Sequence, residues 1–166
     1  MTMHWKVRRE LLSRVEIFSD LSSGDLKAVA KSCSESEFAD GQFLCRQGDR
    51  GVAAFLIVSG RVDVVEEFAD GTSMVIATLG QGAFVGELSI IDGAARVASI
   101  RANGDVNVLV LTQWAMLGLM KSKPSIAAAM LPVIVKRFRQ TTDELRRHNA
   151  QSDEGRDEIH AVGALD

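Results

Sequence analysis

Residues 53–79 read AAFLIVSGRVDVVEEFADGTSMVIATL. Three apolar runs lie inside this stretch: Ala53 to Val58, Val62 to Val65 and Met74 to Leu79. Gly60 separates the first two, and Asp70-Gly71 separates the second from the third. Runs this short, rich in Val, Ile, Leu and Phe, suit strands better than helices. Asp-Gly between two of them is a hairpin signal. The same texture extends outward in both directions. Ten of the 14 glycines fall between Gly41 and Gly104, and Val97 to Ile100 and Val106 to Leu111 supply two further runs. Residues 34–111 therefore read as many short strands joined by tight turns, the pattern of a sandwich or jelly roll.

Both flanks read as helix. On the N-terminal side, residues 1–33 place Leu11, Leu12, Val15 and Phe18 at roughly helical spacing, then break at Ser19-Asp20. Ser22 and Asp25 follow at the spacing of a capping box, ahead of an apolar face of Leu26, Val29, Ala30 and Cys33. On the C-terminal side, 112–150 returns to helix. Pro124 is suited to a first helical position, and Pro132 predicts a kink or a join. The polar residues 151–166 predict an unstructured tail. The fold class expected is α+β: an antiparallel β-roll or jelly-roll barrel between N-terminal helices and a long C-terminal helix.

Composition narrows the function. The 166 residues carry a net charge of −3 with the two signs interspersed, so nothing pulls the chain generally toward nucleic acid or an anionic membrane. Two cysteines, Cys33 and Cys45, cannot build a disulfide scaffold and read as small hydrophobes. Met1 to Glu10 has no apolar signal-peptide core, and no apolar run is long enough for a bilayer span. The cytoplasm is the default compartment.

The chemistry concentrates in residues 82–99, GAFVGELSIIDGAARVAS. Gly86 lets backbone approach a ligand closely. Leu88 to Ile91 can form one helical turn whose leading N–H groups face an anion. Arg96 offers a permanent charge and a planar fork of donors suited to phosphate. Glu87 offers an acceptor for hydroxyls. One anion site beside one hydroxyl site describes a sugar-phosphate. Outside such a context, a lone Glu and Arg would read as a surface ion pair worth little.

This stretch resembles the phosphate-binding cassette of the cyclic-nucleotide-binding domain family. Phe84, Val85, Gly86, Glu87 and Leu88 fall in register with the family pattern, and Arg96 follows Glu87 at a spacing the family uses. Ala95 stands where Pro is common, and Val97 where Ala, Ser or Thr is common. Arg46-Gln-Gly48-Asp49 and Phe55-Leu-Ile-Val-Ser-Gly60-Arg-Val look like the family's turn and hairpin, with glycines suited to positive φ. Ile17-Phe18-Ser-Asp-Leu21-Ser resembles its entry helix, and Leu79-Gly-Gln-Gly82-Ala-Phe84-Val-Gly-Glu-Leu is similar to the bacterial catabolite activator branch. The likeness covers about residues 11–148.

The resemblance implies a non-enzymatic regulatory module that binds cAMP, with cGMP as second candidate, and needs no cofactor. Arg96 and the N–H groups near Leu88 and Ser89 would meet the phosphate, with Val97 and Ala98 following, and Glu87 would take the ribose 2′-hydroxyl. Val64, Ile76 and Leu79 resemble the apolar wall beside sugar and base, although plain β-core explains each singly. Val97 lacks the hydroxyl that favours guanine in the family. Trp5 and Trp114 could stack on a base, but packing is their commoner use.

Other functions fit less well. A metal-dependent jelly-roll enzyme needs clustered imidazoles, yet His4, His148 and His160 all lie outside the β region. There is no Gly-x-Ser-x-Gly elbow, and no His adjoins either cysteine in sequence. The catabolite activator branch continues into a helix-turn-helix domain, for which the 16 residues after Ala150 are too few. No direct DNA binding is expected. The alternative is the regulatory domain of a larger signalling protein, channel or transcription regulator acting through an unknown partner. Arg8, Arg9 and Arg14 would suit a linker contact, or simply a solvated face.

Ala127, Leu131, Ile134, Phe138, Thr141 and Leu145 follow alternating steps of four and three, the stripe of a coiled-coil seam. Packing on the chain's own barrel accounts for its first half. Lys136 to Leu145 is similar to the catabolite activator's dimer helix. That likeness implies a homodimer, with Thr141 bonding the adenine of its own chain and Thr142 reaching the other.

Overall fold

The computed structural model describes residues 2–162, with side chains through Arg147. Helix α1 (Trp5–Ser13) leads through a 3-10 turn (Glu16–Phe18) to α2 (Ser23–Ser32). Ser22 caps α2 by accepting from the Asp25 N–H at 3.1 Å. The Asp25 carboxylate is turned elsewhere, accepting from Ser125 at 2.6 Å and Lys123 at 3.4 Å. The strands are β1 (Ser34–Phe38), β2 (Phe43–Cys45), β3 (Ala53–Glu67), β4 (Ser73–Leu79), β5 (Phe84–Val85) and β6 (Ser99–Thr112), with a short α3 (Ser89–Asp92) before β6. Then come α4 (Gln113–Ser122) and α5 (Pro124–Val162).

All strand pairs are antiparallel. The six-stranded sheet runs β1-β6-β3-β4, with β2 also on β6 and β5 also on β3. This is the jelly-roll-like arrangement expected, but the pairings leave the sheet open rather than closing it into a barrel. The Asp70-Gly71 hairpin joins β3 to β4, where Asp70 accepts from both the N–H and the hydroxyl of Thr72, at 2.9 and 2.6 Å.

Three boundaries differ from the sequence reading, the first being that Val97 to Ile100 and Val106 to Leu111 fall largely on one strand, β6 (Ser99–Thr112). Ala53 to Val58 and Val62 to Val65 belong to one long strand, β3, because Gly60 bends the chain without ending the pairing to β6. A Cβ on Gly60 would stand 2.4 Å from the Asp105 carbonyl, so the strands approach here only through glycine. At the other end, α5 passes through Pro132 as one helix and continues to Val162, whereas residues 151–166 read as an unstructured tail. Asp153, Glu154, Arg156 and Glu158 in that stretch are compatible with helix despite their polarity. Residues 163–166 lie outside the described residues.

The core has two parts. Ala54, Leu56, Leu109 and Leu111 face the helices and pack with Leu12, Phe18, Val29, Met116, Ile126 and Met130. Phe55, Ile57, Val106 and Val108 alternate with them and fill the interior of the roll with Val62, Val85 and Ile100. Burial on both faces explains why Ala53 to Ile57 reads as an unbroken apolar run. Among the described residues, no helix is long and apolar enough to cross a membrane.

Candidate functional site

The segment 82–99 wraps one end of the roll around an open cavity of about 510 Å³. That size lies within the range of about 300 to 1,000 Å³ usual for small-molecule sites. The cavity wall includes Val64, Leu79, Phe84, Val85, Gly86, Glu87, Leu88, Ser89, Arg96, Val97 and Ala98, all singled out in the sequence. Ile76 is not among the lining residues. Pairing across β3 and β4 passes from Ala77 to Val75, so Ile76 is the extra residue of a bulge and stands half exposed. Thr141 and Thr142 lie further along α5 and do not line the cavity either, and the Thr142 hydroxyl donates to the Phe138 carbonyl at 2.9 Å. Trp5 and Trp114 are also outside it.

Arg96 is held from several directions. Its N–H donates to the Asp49 carbonyl at 2.8 Å, and its carbonyl accepts from the Gly48 N–H at 2.9 Å, so the Arg46 to Asp49 turn clamps its backbone. That turn is pinned in its own right. Gln47 exchanges two bonds with the Glu67 backbone, and the buried Ser99 hydroxyl accepts from Gln47 N–H and donates to the Glu67 carboxylate. The Arg96 side chain is 7% exposed. Nη2 donates to the Ala53 carbonyl and Nη1 faces the Gly86 carbonyl at 3.5 Å, while the buried Nε has no partner. Among the described residues no carboxylate pairs with this guanidinium. A buried cation with only neutral partners is an unfavourable arrangement on its own and favours an anion.

Gly86 permits this geometry. Its φ is +77°, and a Cβ there would lie 2.1 Å from Arg96 Nη1. Next along the chain, Glu87 is ion-paired to Arg137 of α5, whose Nε also donates to Glu16 at 2.9 Å. Burial opposes the Arg137 charge, but the bonds to Glu16 and Glu87 outweigh it and raise its pKa. The short α3 begins at Ser89, where the first bonds back to the Leu88 carbonyl come from Ile91 and Asp92, at 2.9 and 3.2 Å. Val97 is 90% exposed beside the cavity.

Arg137 was not singled out in the sequence, where it falls within the Lys136 to Leu145 stretch likened to a dimer helix. Cys45 and Ile100, also in the wall, read as core. Burial pushes the Cys45 thiol pKa upward, and that of Cys33, in the helix-facing core, to about 12.

A roll of antiparallel strands with cationic and carboxylate side chains at one open cavity, one of them, Glu87, paired to the C-terminal helix, is the architecture of a ligand-binding domain. The sequence pattern described as "Cyclic nucleotide-binding domain" matches residues 35–123, and the chain belongs to that family. It is 26% identical over 136 residues to a CRP-like cAMP-activated global transcriptional regulator of Mycobacterium tuberculosis, covering 82% of this chain and 61% of the relative. To the cyclic AMP receptor protein of Thermus thermophilus it is 32% identical over 129 residues, covering 78% and 60%. The chain thus spans only about 60% of the length of these relatives. Among solved structures, the N-terminal domain of a transcriptional regulator from Streptomyces coelicolor superposes with a TM-score of 0.73 at 28% identity, covering 80% of this chain and 95% of that one.

Proposed function

We propose that this chain is a non-enzymatic regulatory module that binds a 3′,5′-cyclic nucleotide, cAMP in preference to cGMP. One observation carries the reading: Arg96 brings a buried charge, without a counter-carboxylate among the described residues, to a cavity whose other walls are largely apolar. A cyclic phosphate supplies the missing charge. Glu87 is the ribose acceptor, exchanging its bond with Arg137 for one with the 2′-hydroxyl or holding both. Thr141 stands one helical turn beyond Arg137 on the same face of α5, which supports a role for Thr141 toward the base of its own chain, with Thr142, on a different face, assigned to the base of a second copy. The exposed Val97 carries no hydroxyl for the guanine amino group, which supports the adenine preference.

Calorimetric titration with cAMP and cGMP tests the proposal. Losing a hydrogen-bonded charge partner costs about 2 to 5 kcal/mol, so a folded Arg96→Ala variant is expected to bind roughly thirtyfold more weakly or worse. Unchanged affinity rejects the assignment, and tighter cGMP binding rejects the selectivity. Incubated cAMP should be recovered intact, whereas turnover above buffer would exclude a pure binder. Because the chain spans only part of its relatives, we also propose that the signal passes to a further domain or partner, as in a transcription regulator or channel.

A further inference from the structure

The arginines of the first helix and its C-cap, Arg8, Arg9 and Arg14, have different fates. Arg8 is used internally, donating to the Cys33 carbonyl at 2.6 Å and Glu35 at 2.7 Å. Arg14 pairs with Glu10 at 2.9 Å. Arg9 instead joins Lys6, Lys27 and Lys31 around the half-buried ring of Trp5. Lys27 Nζ stands 4.8 Å from the ring centroid, and the others lie at 5.8 to 6.0 Å. None of the four is ion-paired among the described residues. Four like charges are gathered here on a chain whose net charge is −3. The indole face holds them together, but it does not neutralise them.

Beside this cluster, α1, the 3-10 turn and α2 enclose an open groove of about 560 Å³. Lys6 and Arg9 stand on its rim. Half-buried Leu21 supplies the accessible apolar surface over a floor of buried Phe18 and Leu26, and Ser13, Ser19 and Ser23 supply hydroxyls. Arg9 also donates to the Ser23 hydroxyl at 3.1 Å. The one carboxylate in the wall, Glu10, is paired with Arg14.

We propose that this face is a docking site for an acidic peptide segment of a partner protein, with its carboxylates on the Trp5 cation cluster and an aliphatic side chain in the groove. The charge pattern selects an anion. The apolar surface recessed behind a cationic rim selects a peptide over the other polyanions. A membrane binds through apolar residues that protrude, and a nucleic-acid backbone has no aliphatic group to bury. The groove shares no lining residue with the Arg96 cavity.

The chain has two tryptophans. Trp114 is 87% exposed, so Trp114→Phe leaves Trp5 as a fluorescent reporter. A glutamate-rich peptide with a central leucine should change Trp5 emission saturably, and the effect should weaken at high salt. Its glutamine counterpart should have no effect. Lys27→Glu with Lys31→Glu, both exposed positions, should weaken peptide binding by about tenfold or more while leaving the circular dichroism unchanged. Absence of a saturable change, equal binding by the charge-reversed protein, or tighter binding to phosphatidylserine vesicles or single-stranded DNA would overturn the proposal.

Discussion

Gly86 and Arg96 form one unit, because the positive φ of the first makes room for the guanidinium of the second. Any side chain at 86 meets Arg96 Nη1 and also strains the backbone. Gly86→Ala is therefore expected to lower stability by more than about 1 kcal/mol in urea unfolding. Calorimetry of the protein that remains folded should show cAMP binding weakened by about thirtyfold or more, since a displaced charged partner costs about 2 kcal/mol or more. Wild-type affinity in this variant would mean that Arg96 does not need its observed position. At this scale much of the site was legible. Gly86, Glu87 and Arg96 stand out by residue type and by the resemblance of their stretch to the family's cassette, and the fold brings them to one cavity. Arg137 was not legible, because its role exists only once α5 lies across Glu87 and Glu16. Ile76 does not line the cavity, because it is the extra residue of a bulge, and nothing in its own side chain signals one.

The elements are tied together by polar contacts that join distant parts of the chain. Asp25 is 6% exposed and links the first turn of α2 to the start of α5 through Ser125 and to the α4–α5 joint through Lys123. The Ser125 hydrogen bond, more than the opposing effect of burial, holds the Asp25 carboxyl below its ordinary value. A carboxyl depressed in the folded state adds stability above its unfolded pKa, and this is lost as pH falls through the lower folded value. Wild-type melting temperature should therefore fall more steeply than that of Asp25→Asn as pH drops from neutral to below about 4. Parallel melting curves against pH would show that the contact contributes nothing. Helices and strands were readable here from periodicity and from Asp70-Gly71, but the continuity of β3 through Gly60 was not. A glycine between apolar runs looks the same whether it ends a strand or bends one. The difference lies in the Asp105 carbonyl, which belongs to the partner strand.

For the whole molecule, α5 has two apolar faces with different surroundings. Ile126, Met130 and Val133 are buried against the chain's own helices and sheet. On the other side, Leu131, Val135, Phe138 and Leu145 are 60%, 41%, 72% and 61% exposed. Leu131, Phe138 and Leu145 recur every seven residues, and Val135 follows Leu131 by four, the a/d spacing of a coiled-coil seam. The sequence stripe had placed Ile134 in that seam. Ile134 instead packs half-buried on the core, and Val135 takes the outward position. Periodicity shows that such a helix has apolar stripes, but only packing shows which one the chain itself covers. Arg137, between Val135 and Phe138, holds Glu87 at the candidate site, so a second copy on this seam would pack against a helix that is ion-paired to that site. Any effect of cAMP on pairing must be matched by an equal effect of pairing on cAMP affinity. Sedimentation of the wild-type chain is expected to show a concentration-dependent dimer whose dissociation constant shifts with cAMP. Phe138→Glu places a charge on the most exposed seam residue and should yield a monomer that keeps its fold and still binds cAMP, with the affinity shifted by the same coupling factor. A strict monomer at high concentration, with and without cAMP, would refute the seam while leaving Arg96 and Glu87 at their cavity.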